Sequence, residues 1–356
     1  MPRSPNRAAV AFSSSVTIRD VAAKAGVSVA TVSRVFNQKG PIREDTIRRV
    51  MDVASAMQYV PHAGARSLST RSTRTLGVLL PDLHGEFFSE VIRGVDVAAR
   101  QRGYHILVSG SHSDAEEMSA MLRALRGRVD GLIVMSPDLG LGSISRALAP
   151  DTPVALLNCA ASGRRTIRID NYNGAHAMTD HLLALGHRRI AFITGPERNA
   201  DAAERRRGYR EAVEAGNAEA IEIAGDFIED SGHRAVPRIL AMSPRPTAIF
   251  AANDAMAIGA LRALREARVR VPEDLSLAGF DDVPIARYLT PPLTTVRVEI
   301  AEMGRRAVDY LVNTLETGSD GSRKHDLIAA TLVVRESCGA HLGGRNHKVT
   351  RKQARK

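Results

Sequence analysis

The chain has 356 residues, 44% hydrophobic and 25% charged. That is enough apolar content for a large soluble core in two or three domains of about 150 residues, and too much for general disorder. Its two cysteines lie outside any CxxC or Cys/His cluster, which excludes a disulfide scaffold, and no apolar run approaches the ~20 residues that span a bilayer. The formal charge of +10 is confined to the ends. Residues 1–74 carry 12 Lys/Arg against 4 Asp/Glu, residues 341–356 carry 6 against none, and the long middle carries 31 against 35. A basic head on a slightly acidic body suits a polyanion-binding module joined to a second function. The Gly/Lys/Arg-rich end, 341–356, lacks an apolar period and is read as a disordered basic tail. The Ala/Val/Phe patch near the N-terminus is too short for a secretory signal. Residues 1–16 are therefore read as a disordered leader and the protein as cytoplasmic.

From Thr17 the head follows a helical pattern. Thr17 and Asp20 form a capping box. Ile18, Val21, Ala22 and Ala25 recur at helical spacing, and Gly26 stands where a C-cap belongs. Ser28 then opens a second helix running to about Phe36. Val32, Val35 and Phe36 face inward, leaving Val29, Ala30, Thr31, Ser33 and Arg34 outward or near it. Two short helices about a glycine turn are the helix-turn-helix arrangement, whose second helix enters the major groove. The Thr31 and Ser33 hydroxyls suit base edges or phosphate, and Arg34 suits guanine or phosphate. A third helix, about 44–58, places Ile47, Val50, Met51, Ala54 and Met57 on one face to close the small core. After Pro61 comes a short basic linker containing Leu68. Two readings of Leu68 stay open: a wedge between base steps in the minor groove, or packing on the next domain.

From Thr75 onward, strand-like runs alternate with amphipathic helices. The strands are Leu76–Leu80, His105–Ser109, Gly131–Met135, Val154–Leu157, Thr166–Ile169, Ile190–Thr194, Ile221–Ala224, Ala248–Ala251 and Leu275–Ala278. Helices are expected over 87–102, 115–126, 173–185, 201–216, 231–242, 254–267 and 299–317. Apolar strands separated by helices indicate parallel sheets covered on both faces. The repeats are too many for one small sheet and fit two lobes joined near 170 and again near 290. Polar residues cluster after strand ends, where open α/β sheets bind ligands. No GxGxxG, P-loop, GxSxG or HExxH is present. No enzyme, cofactor or metal is expected. Asp281-Asp282 is read as a hydrogen-bond acceptor for a hydroxylated ligand rather than an acid/base pair.

The order and spacing of these segments resemble the lactose-repressor/galactose-repressor family of bacterial transcription regulators. The resemblance rests on Thr17-Ile18-Arg19-Asp20-Val21-Ala22, Gly26-Val27-Ser28, Thr31 through Val35, and Tyr59 through Leu68. It continues in Asp170-Asn171, Gly186 through Ile190, Arg205 ahead of Gly208-Tyr209, Phe250 through Gly259, Gly279 through Asp282 and Pro291 through Thr295. It covers about 17–338. It implies an all-α helix-turn-helix DNA-binding domain followed by a two-lobed, α/β, periplasmic-binding-protein-like effector domain. It also implies a homodimer on palindromic double-stranded operator DNA, with a small sugar or sugar derivative as effector and no membrane contact. The alternatives are a purine- or nucleoside-responsive regulator of the same fold, or a solute-binding protein. The expected divisions are 17–60 for the DNA-binding domain, 61–74 for the hinge and 75–340 for the body. Lobe one takes about 75–170 and 296–318, and lobe two about 171–292 and 325–338.

The resemblance implies DNA contacts at Thr17, Ser28, Val29, Ala30, Thr31, Ser33, Arg34 and Asn37, and in the hinge at His62, Ala65 and Leu68. Val29 and Ala30 head the recognition helix, where small apolar side chains suit thymine methyls. His62 stands where the family usually has Asn. For the effector it implies Phe87, Phe88, Asn158, Arg205, Phe227, Asn253 and Asp281. An arginine fork and a carboxylate can clamp sugar hydroxyls. Core packing is the alternative for the three phenylalanines. Asn158-Cys159 replaces an Asp-Trp pair of a purine-binding relative, which favours a sugar. Asp254 is expected to cap the helix after it. Asp170 and Asn171 either face the cleft mouth or satisfy the strand end.

Overall fold

The computed structural model describes residues 16–37, 40–60, 72–138, 152–159, 165–318 and 326–340. The leader, most of the hinge, and the basic tail lie outside the described residues, as do His62, Ala65 and Leu68. Contacts divide the chain into two compact units that meet at Thr73 and Arg74.

The first unit holds α1 (Ile18–Ala25), α2 (Val29–Asn37) and α3 (Glu44–Ala56). The capping box forms: Thr17 N–H donates to Asp20 Oδ2 at 2.8 Å, and Asp20 N–H to Thr17 Oγ1 at 3.4 Å. Those bonds hold the exposed Asp20 carboxyl below its ordinary range. Gly26 ends α1 at φ 65°, a left-handed conformation that glycine adopts without strain. Val21, Ala22, Ala25, Val32, Val35, Val50 and Ala54 form the core, with Phe36 edge-on to Tyr59 at 5.6 Å. The expected inner face of α3 needs correction. Ile47 and Met51 are 39% and 47% exposed. The stripe that packs is Val50, Val53, Ala54 and Met57, rotated from the expected one because α1 and α2 cover only one narrow side of so short a helix.

The second unit contains two parallel sheets. The first lobe's sheet runs β11-β5-β4-β3-β1-β2, with β1 Thr75–Leu80, β2 His105–Gly110, β3 Gly131–Met135, β4 Val154–Leu157, β5 Thr166–Ile169 and β11 Asp326–Ile328. The second lobe's sheet runs β7-β6-β8-β9, with β6 Arg189–Ile193, β7 Glu219–Ile223, β8 Ala248–Ala251 and β9 Ser276–Ala278. A two-stranded antiparallel ribbon, β10 (Thr295–Val298) with β12 (Ala330–Val333), completes the strands. Val78, Val134, Leu156, Phe192, Phe250 and Leu277 are fully buried, as sheets with both faces covered require.

Helices α4 (Glu86–Gln101) and α10 (Ile300–Thr317) pack together on one face of the first sheet, and α5 (Ala115–Leu125) lies on the other. In the second lobe α6 (Asn171–Ala184) packs on α7 (Ala200–Ala215), and α8 (Glu229–Leu240) on α9 (Asp254–Glu266). The α8–α9 contact depends on two glycines. A Cβ on Gly232 would strike the Met256 carbonyl, and one on Gly259 the Glu229 carbonyl.

Three chain segments pass between the lobes: β5 into α6, β9 through β10 into α10, and β11 into β12. The third departs from the expected division. Residues 326–328 were assigned to lobe two from 325 onward, but they pair with Ile167–Ile169 in the first sheet. The return to lobe two starts after them, where Ser337 and Cys338 bond to Leu277 and Ser276. A three-residue edge strand with a polar first residue and an exposed Leu327 carries too little pattern to be placed from sequence.

Candidate DNA-reading helix and effector cleft

Helix α2 presents Ser28, Val29, Ala30 and Arg34 to solvent, with Thr31, Ser33 and Asn37 half-buried. It does so because Val32 and Val35, three apart, are the side chains drawn into the core. The hydroxyls are ordered locally. Ser28 Oγ accepts from Thr31 N–H at 3.1 Å and lies 2.9 Å from Thr31 Oγ1. Asn37 Nδ2 donates to Ser33 Oγ at 3.3 Å. Ser28 thus caps α2, as its position implied. Arg34 makes no ion pair among the described residues. The exposed stripe therefore combines two small apolar side chains, pre-oriented hydroxyls and a cation, a set suited to a duplex groove.

In the body, Arg205 on α7 is 3% exposed. Its Nε donates to Asn171 Oδ1 at 2.8 Å and its Nη1 to the Ala252 carbonyl at 2.5 Å. Its guanidinium lies 3.8 Å from the centre of the Phe280 ring and 5.6 Å from that of Phe227. Nη2 stands 3.0 Å from Asp281 Oδ1. The contact is a buried ion pair. Asp281 holds φ at 111°, a strained conformation for a residue with a Cβ and one found at functional sites. Burial pushes its carboxyl up to about 6, opposed by the Arg205 charge.

A second buried carboxylate, Asp201, belongs to this cluster and was not singled out from sequence. Its Oδ1 accepts from Asn171 Nδ2 at 2.8 Å. Burial also raises it to about 6, against the pull of Arg205 and Arg168. Asn171 therefore joins Asp201 to Arg205, and its Nδ2 also donates to the Ile169 carbonyl at 3.4 Å, satisfying the end of β5. Asp170 instead accepts from Asn173 N–H at 3.4 Å and caps α6.

Asn253, not Asp254, caps α9: its Oδ1 accepts from Met256 N–H at 2.9 Å while its Nδ2 donates to the Phe227 carbonyl at 2.9 Å. This holds Phe227 at φ 70° beside Arg205. The expected capping role of Asp254 is thus corrected. Asp254 is buried between Thr295 Oγ1 at 2.6 Å and Val283 N–H at 3.0 Å, and burial holds its carboxyl well above the ordinary range. Asp282 turns away from Asp281 to Arg297 at 2.7 Å and Arg335 at 2.6 Å. The adjacent carboxylates serve different partners.

On the first lobe, Asn158 ends β4 at φ 49°, 2% exposed, with Oδ1 unpartnered. Its neighbour Cys159 points into the sheet, and burial raises its thiol to about 12. Phe87 and Phe88, in the first turn of α4, contact each other at 5.5 Å and pack against the core. The geometry does not join them to Arg205. Among the described residues, hydrogen bonds join the lobes away from the crossover strands. Asn199 Nδ2 donates to Asp138 Oδ1 at 2.9 Å, Ala200 N–H to the Pro137 carbonyl at 3.1 Å, and Ile285 N–H to Glu86 Oε2 at 3.0 Å.

The pattern described as "Bacterial regulatory proteins, lacI family" matches residues 17–62, and a "Periplasmic binding protein-like domain" matches residues 179–338. The transcriptional regulator GalS of Salmonella typhimurium is 38% identical over 328 residues, covering 90% of this chain and 96% of that protein. The chain belongs to the lacI family. The ribose operon repressor of Escherichia coli K12 is 35% identical over 308 residues, covering 84% and 93% of the two chains. Among solved structures, the lac repressor dimer bound to operator and the anti-inducer ONPF aligns with a TM-score of 0.83 at 30% identity, over 91% of this chain and 99% of that one. The CelR–cellobiose complex aligns with a TM-score of 0.67 at 31% identity, over 90% and 99%. As a member of the lacI family the chain is a DNA-binding transcriptional regulator, with a helix-turn-helix head and a periplasmic-binding-protein-like body. No helix among the described residues is long and apolar enough to cross a membrane.

Proposed function

We propose that this regulator acts in the cytoplasm as a homodimeric repressor with no catalytic step. In this reading α2 reads each half of a palindromic operator, with Val29, Ala30 and Arg34 nearest the bases, while Thr17, Ser28, Thr31, Ser33 and Asn37 fix its register. His62, Ala65 and Leu68 contact the minor groove. The effector is a small sugar or sugar derivative held between the lobes by Arg205, Asp281 and Asn158, with Phe227 forming an apolar wall and Asn253 holding that wall in place. Phe87 and Phe88 line the first-lobe side.

The observation that carries this reading is the Asp281–Arg205 pair. It is a buried, strained carboxylate, ion-paired to an arginine that is itself fixed by Asn171, the Ala252 carbonyl and the Phe280 ring. Such acceptors match hydroxyl donors. Relatives of this fold have been solved with cellobiose and with ribose. A purine effector is less well served, because Cys159 offers no stacking surface beside Asn158. A ligand that bridges the lobes changes operator affinity only by its differential affinity for the two lobe arrangements. Calorimetric titration of the protein against aldoses and nucleosides tests the effector class. Heat with an aldose and silence with nucleosides is expected, and the reverse overturns it.

A further inference from the structure

One cation on the first lobe is unaccounted for by the Arg205 cluster. Arg168 lies on β5, partly buried, and its side chain makes no hydrogen bond or ion pair among the described residues. Strand register places it. Met135 pairs with Leu157, and Leu157 with Ile167. Ser136 N–H donates to the Leu157 carbonyl at 3.4 Å and Asn158 N–H to the Ile167 carbonyl at 2.9 Å, so the ladder continues one step. Ser136, Asn158 and Arg168 therefore form a row across β3, β4 and β5 near the sheet's C-terminal edge, the edge at which open α/β sheets bind ligands. Ser136 and Asn158 are 3% and 2% exposed, and Ser136 Oγ and Asn158 Oδ1 lack partners. Each would cost free energy if nothing ever met it. The row adjoins the second lobe: Pro137 and Asp138 bond to Ala200 and Asn199 at the start of α7, and the Arg168 charge is felt at Asp201 one residue further on.

We infer that Ser136 Oγ–H and Arg168 form an anion-accepting subsite beside Asn158 Oδ1, which accepts from a ligand hydroxyl, so that the effector is a sugar acid: a polyol whose hydroxyls meet Asp281 and Asn158 and whose carboxylate meets Ser136 and Arg168. The inference rests on the sugar-class reading above. Arg205 is less suited to the anion because its charge is matched by Asp281 and its Nε and Nη1 already donate to Asn171 and Ala252, whereas the Arg168 guanidinium has no partner among the described residues. A planar guanidinium suits a carboxylate. The carboxylate's single charge also meets less repulsion from Asp201 and Asp281 than a phosphate dianion would.

The test is calorimetric titration of the full chain with matched sets: glucose, gluconate, glucuronate and glucose 6-phosphate, then the galactose and ribose counterparts. A sugar acid is expected to bind more tightly than its parent sugar. R168Q should weaken the acid by about 10- to 100-fold, the range for a hydrogen bond to a charged group, leave the parent sugar within about 2-fold, and lose less with R168K. Denaturation of R168Q, unchanged from wild type, would show that the loss is not one of folding. Equal or tighter binding of the parent sugar, or an acid whose affinity ignores R168Q, would overturn the subsite. Tighter binding of the phosphate would overturn the choice of carboxylate. Silence of every set, with heat from a nucleoside, would overturn the sugar reading itself.

Discussion

Replacing Arg205 with Met removes the hub of the cleft, and its cost can be worked from the contacts. Two buried acceptors, Asn171 Oδ1 and the Ala252 carbonyl, lose donors at 2.8 and 2.5 Å. Each orphaned acceptor costs about 1–3 kcal/mol. The lost ion pair costs less than the ~3–5 kcal/mol of a stranded buried charge, because the carboxyl can neutralise instead. Asp281 is already pushed up to about 6 by burial, so protonating it near pH 7 costs only about 1.4 kcal/mol per unit. Methionine recovers part of the packing on Phe280. The net expectation is a loss of about 3–5 kcal/mol at pH 7. The sign of its pH dependence follows. Without the cation, the folded-state values of Asp281 and Asp201 rise further above their unfolded ones. Their contribution is fully present at low pH and lost as pH rises through the folded values. The deficit against wild type should therefore shrink at pH 5.5 and grow at pH 8. Urea denaturation at three pH values measures it. A deficit below about 1 kcal/mol, or one that is identical at pH 5.5 and 8, would refute the reasoning.

Three further outcomes follow from the same geometry. Asp201→Asn removes a carboxylate that burial has raised to about 6, whose stabilising contribution wild type loses as pH climbs through that value; the variant's melting temperature should change less than wild type's between pH 5 and 8. Gly259→Ala drives a Cβ into the Glu229 carbonyl and should cost about 3 kcal/mol by parting α8 from α9, read as a lower urea midpoint for the body. Thr17→Ala deletes the α1 cap and should cost the head about 1 kcal/mol, seen as faster hydrogen exchange at Val21 with the body's transition unmoved.

Much of the fold was legible because its signals are local. Gly131–Met135, Val154–Leu157 and Ala248–Ala251 are short apolar runs bounded by polar residues, and each forms the strand its pattern implied. Strand β11 carries no such run, and its sheet is chosen by the pairing of Asp326 with Ile167, a contact between distant segments. Ile47 and Met51 show the limit of periodicity: helical spacing fixes which residues share a face, but the partner's width fixes how much of it is covered. In the candidate site, Arg205 and Asp281 were reached through the family resemblance. Asp201 and Arg168 were not. An acid in a helix's first turn and an arginine in a strand look like solvated charges until folding brings the α7 terminus to the edge of the first sheet. The cap expected of Asp254 falls to Asn253 for a similar reason. Either side chain can cap a helix, and the tertiary partners Thr295 and Val283 decide between them.

The central claim is that a ligand held at Arg205 in the body governs DNA reading by α2. It is tested most directly by fluorescence anisotropy of the full chain on a duplex selected from a random pool, with and without the sugar or sugar acid that titrates. Wild-type affinity should shift at least about 5-fold with ligand. Arg205→Met should hold the duplex as wild type does without ligand and show no shift. Arg34→Ala should weaken binding in both conditions. An Arg205→Met protein that still responds to ligand in full, or an Arg34→Ala protein that binds as wild type does, would contradict the account.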